Sequence, residues 1–216
     1  STDRPEKSLA MLDEVTLANP DNAGLKVKKA ELLLTLKQSE KAHLLIDQAM
    51  ALKPKDSSMM LYAAFVNIQE KKFDEATKLL DKILESDSEN VQALIYKANI
   101  AIEKKEDNKS FEALDKALQI QPSNAPALRN RAILNLRLNN LSAAKRDYET
   151  LQRILPRSHI VFYGLGDIAY KRKDFDEAAK YFESYLKYAP ATGSKELLEE
   201  RDAVRKRLAE IRAAKT

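Results

Sequence analysis

Cysteine does not occur in this 216-residue chain, which removes disulfides, thiolate zinc sites and thiol nucleophiles together. Histidine is nearly missing: His43 and His159 are the two copies. They form no triad and no His-rich ligand cluster, and both read as surface residues. Four glycines and seven prolines leave little material for tight hairpins. No apolar run approaches the roughly 18 residues of a membrane span, and no signal peptide precedes Ser1, although a leader removed upstream is compatible with the sequence. What remains is 44% hydrophobic and 32% charged and dominated by Ala, Leu, Lys and Glu. That composition predicts helices throughout and a buried core, as one elongated domain or two small ones.

The tetrapeptide FDEA occurs at Phe73 and again at Phe175, three spans of 34 residues apart. Reading in rows of 34 from Ala23 gives five complete units: 23–56, 57–90, 91–124, 125–158 and 159–192. One column holds Ala30, Ala64, Ala98, Ala132 and Gly166, and a second Ala42, Ala76, Ser110, Ala144 and Ala178. A third, four residues further on, holds Ile46, Leu80, Leu114, Tyr148 and Phe182. A closing column reads Pro54, Ser88, Pro122, Pro156 and Pro190, with Pro20 in the same register ahead of it.

Within each row the apolar residues fall three and four apart, as in Met60, Ala63 and Ala64, then Ala76, Leu79, Leu80, Ile83 and Leu84. This is the period of two amphipathic helices. Small residues on both allow close backbone approach where they cross, while the large column fills the space beside them. Such a pair cannot cover its own apolar faces, so the units must stack.

These columns resemble the tetratricopeptide repeat. The fifth unit carries the family pattern most fully, with Phe162, Leu165, Gly166, Phe175, Ala178, Phe182 and Pro190 in place. The resemblance implies an all-α fold, a right-handed α-solenoid of stacked helix-turn-helix units. The column of Leu165 departs from the family's apolar preference with Lys29, Lys97 and Arg131, whose stems can lie over the helix contact with their charges in water.

Residues 1–22 read as the second helix of a partial repeat, with Asp3 as its cap and Pro5 in its first turn, so the chain is expected to begin inside a longer array. Residues 193–216 read as a C-terminal capping helix with Leu197, Val204, Leu208 and Ile211 as its apolar stripe and with its late bases, Arg205, Lys206, Arg207 and Arg212, in solvent. Gly164-Leu165-Gly166 has no preceding strand and no following lysine in register, so it reads as a helix contact and not as a phosphate loop. No enzyme chemistry and no cofactor or metal is expected.

Function must then come from a surface. The resemblance implies that first helices line a concave face, and the helical period places Leu61, Phe65, Ile95, Asn99, Arg129, Ile133, Arg137, Tyr163, Asp167 and Tyr170 on it, with Asn130 beside them. Leu34, Ile68, Ile102 and Leu136 read as packing, whereas Leu61, Phe65, Ile95 and Ile133 form an exposed apolar strip suited to an amphipathic helix or an extended peptide. Some members of the family grip an acidic chaperone tail with a clamp of bases and two asparagines. Asn99 and Asn130 match those asparagines, but Ile95, Ile160 and Gly164 stand where the bases belong. The clamp is rejected, and the asparagines remain holders for a peptide backbone.

Charge is uneven. Residues 1–90 carry 13 Lys and Arg against 16 Asp and Glu, whereas residues 91–216 carry 24 against 17, and unit 125–158 holds 7 bases and 2 acids. Arg129 and Arg137 could therefore pair with ligand carboxylates. The interleaved acids weigh against nucleic acid, which needs basic stripes. The expected function is a non-enzymatic scaffold holding a protein or peptide partner; the alternative is an assembly segment that self-associates as a homo-oligomer or within a larger solenoid.

Overall fold

The computed structural model describes residues 3–213, with side chains from residue 6. Among these residues there are twelve helices and no strand. They are α1 (Asp3–Ala18), α2 (Ala23–Thr35), α3 (Ser39–Leu52), α4 (Ser57–Gln69), α5 (Phe73–Ser86) and α6 (Val91–Glu103), then α7 (Asp107–Ile120), α8 (Ala125–Arg137), α9 (Leu141–Ile154), α10 (His159–Lys171), α11 (Phe175–Tyr188) and α12 (Lys195–Ala213). The side chains of Asp3 and Pro5, the expected cap and first turn of α1, lie outside the described residues. The chain divides into two compact units, one ending at Ile100 and the other beginning at Ala101.

In the first unit α2 pairs with α3 and α4 with α5, while α1 packs on α2 and α3 on α4; in the second, α8 pairs with α9 and α10 with α11, while α7 packs on α8, α9 on α10 and α11 on α12. The small-residue columns account for the pairing. Ala30, Ala64, Ala98 and Ala132, and Ala42, Ala76, Ser110, Ala144 and Ala178, are all fully buried, as are Leu80, Leu114 and Phe182 of the large column. Within the first unit these residues form one cluster around Ala30, Leu33, Ala42, Ile46, Ala63 and Val66 and another around Ala64, Ala76, Leu80, Ile83, Ala93 and Ile100.

Starts and stops recur with the same 34-residue period. Asn22, Asp56, Asn90 and Asn124 each accept the backbone N–H three residues on, from Leu25, Met59, Ala93 and Ala127. This satisfies one of the donors a helix start leaves unpaired. Each first helix then ends in a left-handed residue, Lys37, Lys71, Lys105, Asn139 or Lys173, with φ between 59° and 63°. There the chain makes the paired bonds of a Schellman turn, for instance Lys105 N–H to Ile102 O at 3.1 Å and Glu106 N–H to Ala101 O at 2.8 Å. Glycine is the usual occupant because a Cβ is disfavoured at positive φ. Four lysines hold this place here, so the turn itself does not announce its conformation by composition.

The basic column departs from expectation in an instructive way. Lys29, Lys97 and Arg131 do not simply extend into water: each meets an aspartate 16 residues earlier, Asp13 and Asp81 at 2.6 Å and Asp115 at 2.7 Å. Arg131 also holds the buried Asp147 with two hydrogen bonds of 2.9 and 2.7 Å. His43, expected as a plain surface residue, is half-buried with its Nε2 2.7 Å from Glu70. Lys72 and His43 together hold the Glu70 carboxyl below the usual range, the lysine hydrogen bond contributing most.

Two substitutions test the close-contact columns. Ala132→Leu should lower the melting temperature, since overpacking a filled site costs roughly 1–3 kcal/mol; melting like wild type would refute the contact. Ser110 holds an alanine position with its hydroxyl buried and without a hydrogen-bond partner, so Ser110→Ala should raise stability by about 1 kcal/mol in chemical denaturation.

Candidate functional site

The first-helix residues expected to meet a partner divide into three groups. Phe65 on α4 and Ile133 on α8 occupy the same repeat position and are 39% and 47% exposed. Both are large apolar side chains, and in the first unit the Phe65 ring lies 6.1 Å from that of Tyr96. Leu61 is half-buried against the cluster around Leu80, while Asn99 and Asn130 are half-buried. Arg129 is exposed.

Ile95 is the clear departure. It is 2% exposed and belongs to the core, so the apolar strip expected through Phe65 and Ile95 is interrupted there. A helical projection gives the direction of a side chain but not what covers it.

The last group is occupied by the chain itself. On α10, Asp167 accepts a 2.9 Å bond from Arg207 of α12, and the Arg207 guanidinium lies 5.3 Å from the centre of the Tyr170 ring and 5.9 Å from that of Phe182. Tyr163 packs 5.7 Å from Tyr185; burial raises its phenol pKa most, and Asp167 also raises it. Asp167 and Tyr170 therefore receive the terminal helix. Arg207, expected in solvent with the other late bases, is the exception among them: Arg205 pairs with Asp202 and Arg212 with Glu183 at exposed positions. Val204, Leu208 and Ile211 bury the apolar stripe of α12, and Arg201 is buried with a 2.6 Å bond to Ala189 O. Arg137 is likewise engaged, by Asp107.

Gly164 and Gly166 act as helix contacts. A Cβ at Gly166 would come within 2.6 Å of the Phe182 ring, and one at Gly164 would collide with Tyr148. Among the described residues no group of three or more His, Cys, Asp and Glu side chains is placed to hold a metal ion, and no helix is long and apolar enough to cross a membrane.

Helix pairs built on recurring small residues define an all-α helical-repeat protein of the solenoid class. The chain belongs to the tetratricopeptide-repeat family, whose profile matches residues 69–125 and 129–194, more than half of its length. No curated protein sequence matches it. Among solved structures it is similar to yeast Tom70, with a TM-score of 0.80 at 20% identity over 95% of this chain and 44% of that one. PilW, a widely conserved type IV pilus biogenesis factor, aligns with a TM-score of 0.78 at 18% identity over 93% of this chain and 90% of that one. YrrB, described as a tetratricopeptide-repeat protein with an unusual peptide-binding site, aligns at 0.61 and 15% identity over 90% and 97%. The chain thus spans under half the length of the Tom70 chain and nearly all of PilW. At these identities the likeness establishes the fold, which serves in general as a protein–protein interaction module.

The engagement of α12 is testable. Arg207→Ala removes an ion pair and two ring contacts, so it should cost about 1–2 kcal/mol in denaturant titration and increase exposure of Tyr170 to solvent. Wild-type stability would refute the docking described.

Proposed function

We propose that the chain is a non-catalytic binding module that holds a peptide or an amphipathic helix of another protein on its first-helix surfaces. The observation that carries this reading is the pair Phe65 and Ile133. At their repeat position the remaining units have Glu31, Asn99 and Asp167, which shows that the fold does not require an apolar side chain there. Exposed apolar anchors rimmed by polar residues are typical of partner sites. Asn99 and Asn130 are candidates to hold a partner's backbone, and Arg129 to meet a carboxylate. Tyr163, Asp167, Tyr170 and Arg137, engaged within the chain, contribute less, and Ile95, buried in the core, does not meet a partner.

The assembly reading has one observation in its favour. Met11 and Val15, one turn apart on α1, are exposed apolar side chains on one helix face, which a second copy could cover. Light scattering separates the two: a monomer across concentrations supports the binding module, and a stable oligomer supports self-association.

The two surfaces are tested one at a time, by Phe65→Ser in the first unit and by Ile133→Ser in the second. Because both side chains are exposed, melting should shift little. Capture of a partner identified with the wild type should weaken several-fold in each variant, since interface anchors each contribute more than roughly 1 kcal/mol. Unchanged capture, or collapse of the fold, would reject the assignment.

A further inference from the structure

The junction of α8, α9 and α10 carries a pocket of about 250 Å³. Its walls are Pro126 and Arg129 from the start of α8, Leu151 and Leu155 from the end of α9, and Ile160 and Val161 from the start of α10. Two of these side chains are unlike their counterparts along the chain. At the repeat position of Leu155 the other units have Lys53, Asp87, Gln121 and Ala189, and at that of Ile160 they have Gly24, Ser58, Gln92 and Pro126. Yet Leu155 is 43% exposed and Ile160 41%. The other four repeats show that the fold tolerates polar residues, alanine, glycine or proline at these places, so the meeting of two exposed aliphatic side chains at this junction is not a packing requirement.

The charge at the same spot is also unspent. Of the three arginines on α8, Arg131 is held by Asp115 and Asp147 and Arg137 by Asp107. Arg129 has no ion-pair or hydrogen-bond partner among the described residues, and no acidic residue lines the pocket. The two acids of unit 125–158 are themselves engaged, Asp147 with Arg131 and Glu149 3.9 Å from Lys145. An apolar wall beside an unpaired guanidinium favours a ligand with an aliphatic group next to a carboxylate, because docking removes apolar area from water and the water it excludes no longer screens the charge pair.

We propose that this junction is a docking site for an acidic segment of a partner protein, with a Leu- or Ile-type side chain in the pocket and the neighbouring Asp or Glu side chain on Arg129. The proposal rests on the reading of the chain as a binding module and shares Arg129 with it, but neither Phe65 nor Ile133 lines the pocket. It predicts a short recognition element: one aliphatic residue adjacent to one acid.

The test uses the full chain, isotope-labelled for NMR and titrated into the millimolar range with an acetylated, amidated decapeptide carrying Leu-Asp within Gly and Ser. Three control peptides replace Asp by Asn, replace Leu by Ser, or move the carboxylate to a free C-terminus. The Leu-Asp peptide should shift the amides of Arg129, Leu155 and Ile160, and the three controls should bind far more weakly. Arg129→Gln should weaken the Leu-Asp peptide roughly tenfold, the scale of a lost hydrogen bond to a charged group, and Ile160→Ser should weaken it several-fold. Both positions are exposed, and the same spectra report whether the variants fold. The Phe65→Ser and Ile133→Ser chains should each bind this peptide as the wild type does. Absence of shifts, shifts elsewhere, indifference to Arg129→Gln, or equal binding of the free C-terminal acid would each overturn the proposal. If partner capture through Phe65 and Ile133 persisted in any of those cases, the binding-module reading would stand without this pocket.

Discussion

Backbone approach between paired helices is the constraint on which everything else in this chain depends. Two helices can cross closely only if the residues at the crossing are small, and the buried columns through Ala30 and Ala42 supply them in unit after unit. The volume must then be made up beside the crossing. Ile46, Leu80 and Leu114 do so with aliphatic side chains, whereas Tyr148 and Phe182 bring rings. Where the rings come, alanine no longer suffices: Phe182 faces Gly166 and Tyr148 faces Gly164, with no room for a Cβ. Large and small change together, as close packing demands.

Polar groups follow the same repeat geometry. A second-helix aspartate and a first-helix base 16 residues later meet at Asp13 and Lys29, Asp81 and Lys97, and Asp115 and Arg131. Elsewhere the first-helix partner is Ala63 or Leu165, so the contact can be made in either chemistry. Exposed pairs of this kind contribute at most about 1 kcal/mol. Asp147 differs because it is buried, and a buried carboxylate without its arginine would be strongly destabilising. The two hydrogen bonds that Asp147 accepts from Arg131 hold the guanidinium even more firmly protonated than usual and are the largest contribution to that shift.

The helices and their buried columns were legible in the sequence because burial at a helix crossing is a local, periodic demand that every unit must meet. Surface assignments were harder. Ile95, Phe65 and Ile133 all looked like candidates for one apolar strip, yet Ile95 is in the core, and the difference depends on what lies over each position. Arg207 looked like its neighbours Arg205 and Lys206, but the helical turn points it at Asp167 and Tyr170, two residues that had seemed free for a ligand. The left-handed lysines gave no signal of their own, since glycine usually marks that conformation. Leu155 and Ile160 did leave a trace, readable only by comparing them with the residues in the same register of other units, none of which is a large aliphatic.

The Asp and base pairs also bear on how the chain folds. Their partners are 16 residues apart, and even the link between Asp167 and Arg207 spans only 40. Chains whose contacts are close in sequence fold quickly because little loop entropy must be spent to form them. As the polypeptide leaves the ribosome, each helix pair therefore has its partners within reach soon after it emerges, and its apolar face waits for one neighbour instead of for the whole chain. Arg207 follows Tyr170 and Phe182 in the chain, so its cover over these two rings forms only once α12 has emerged.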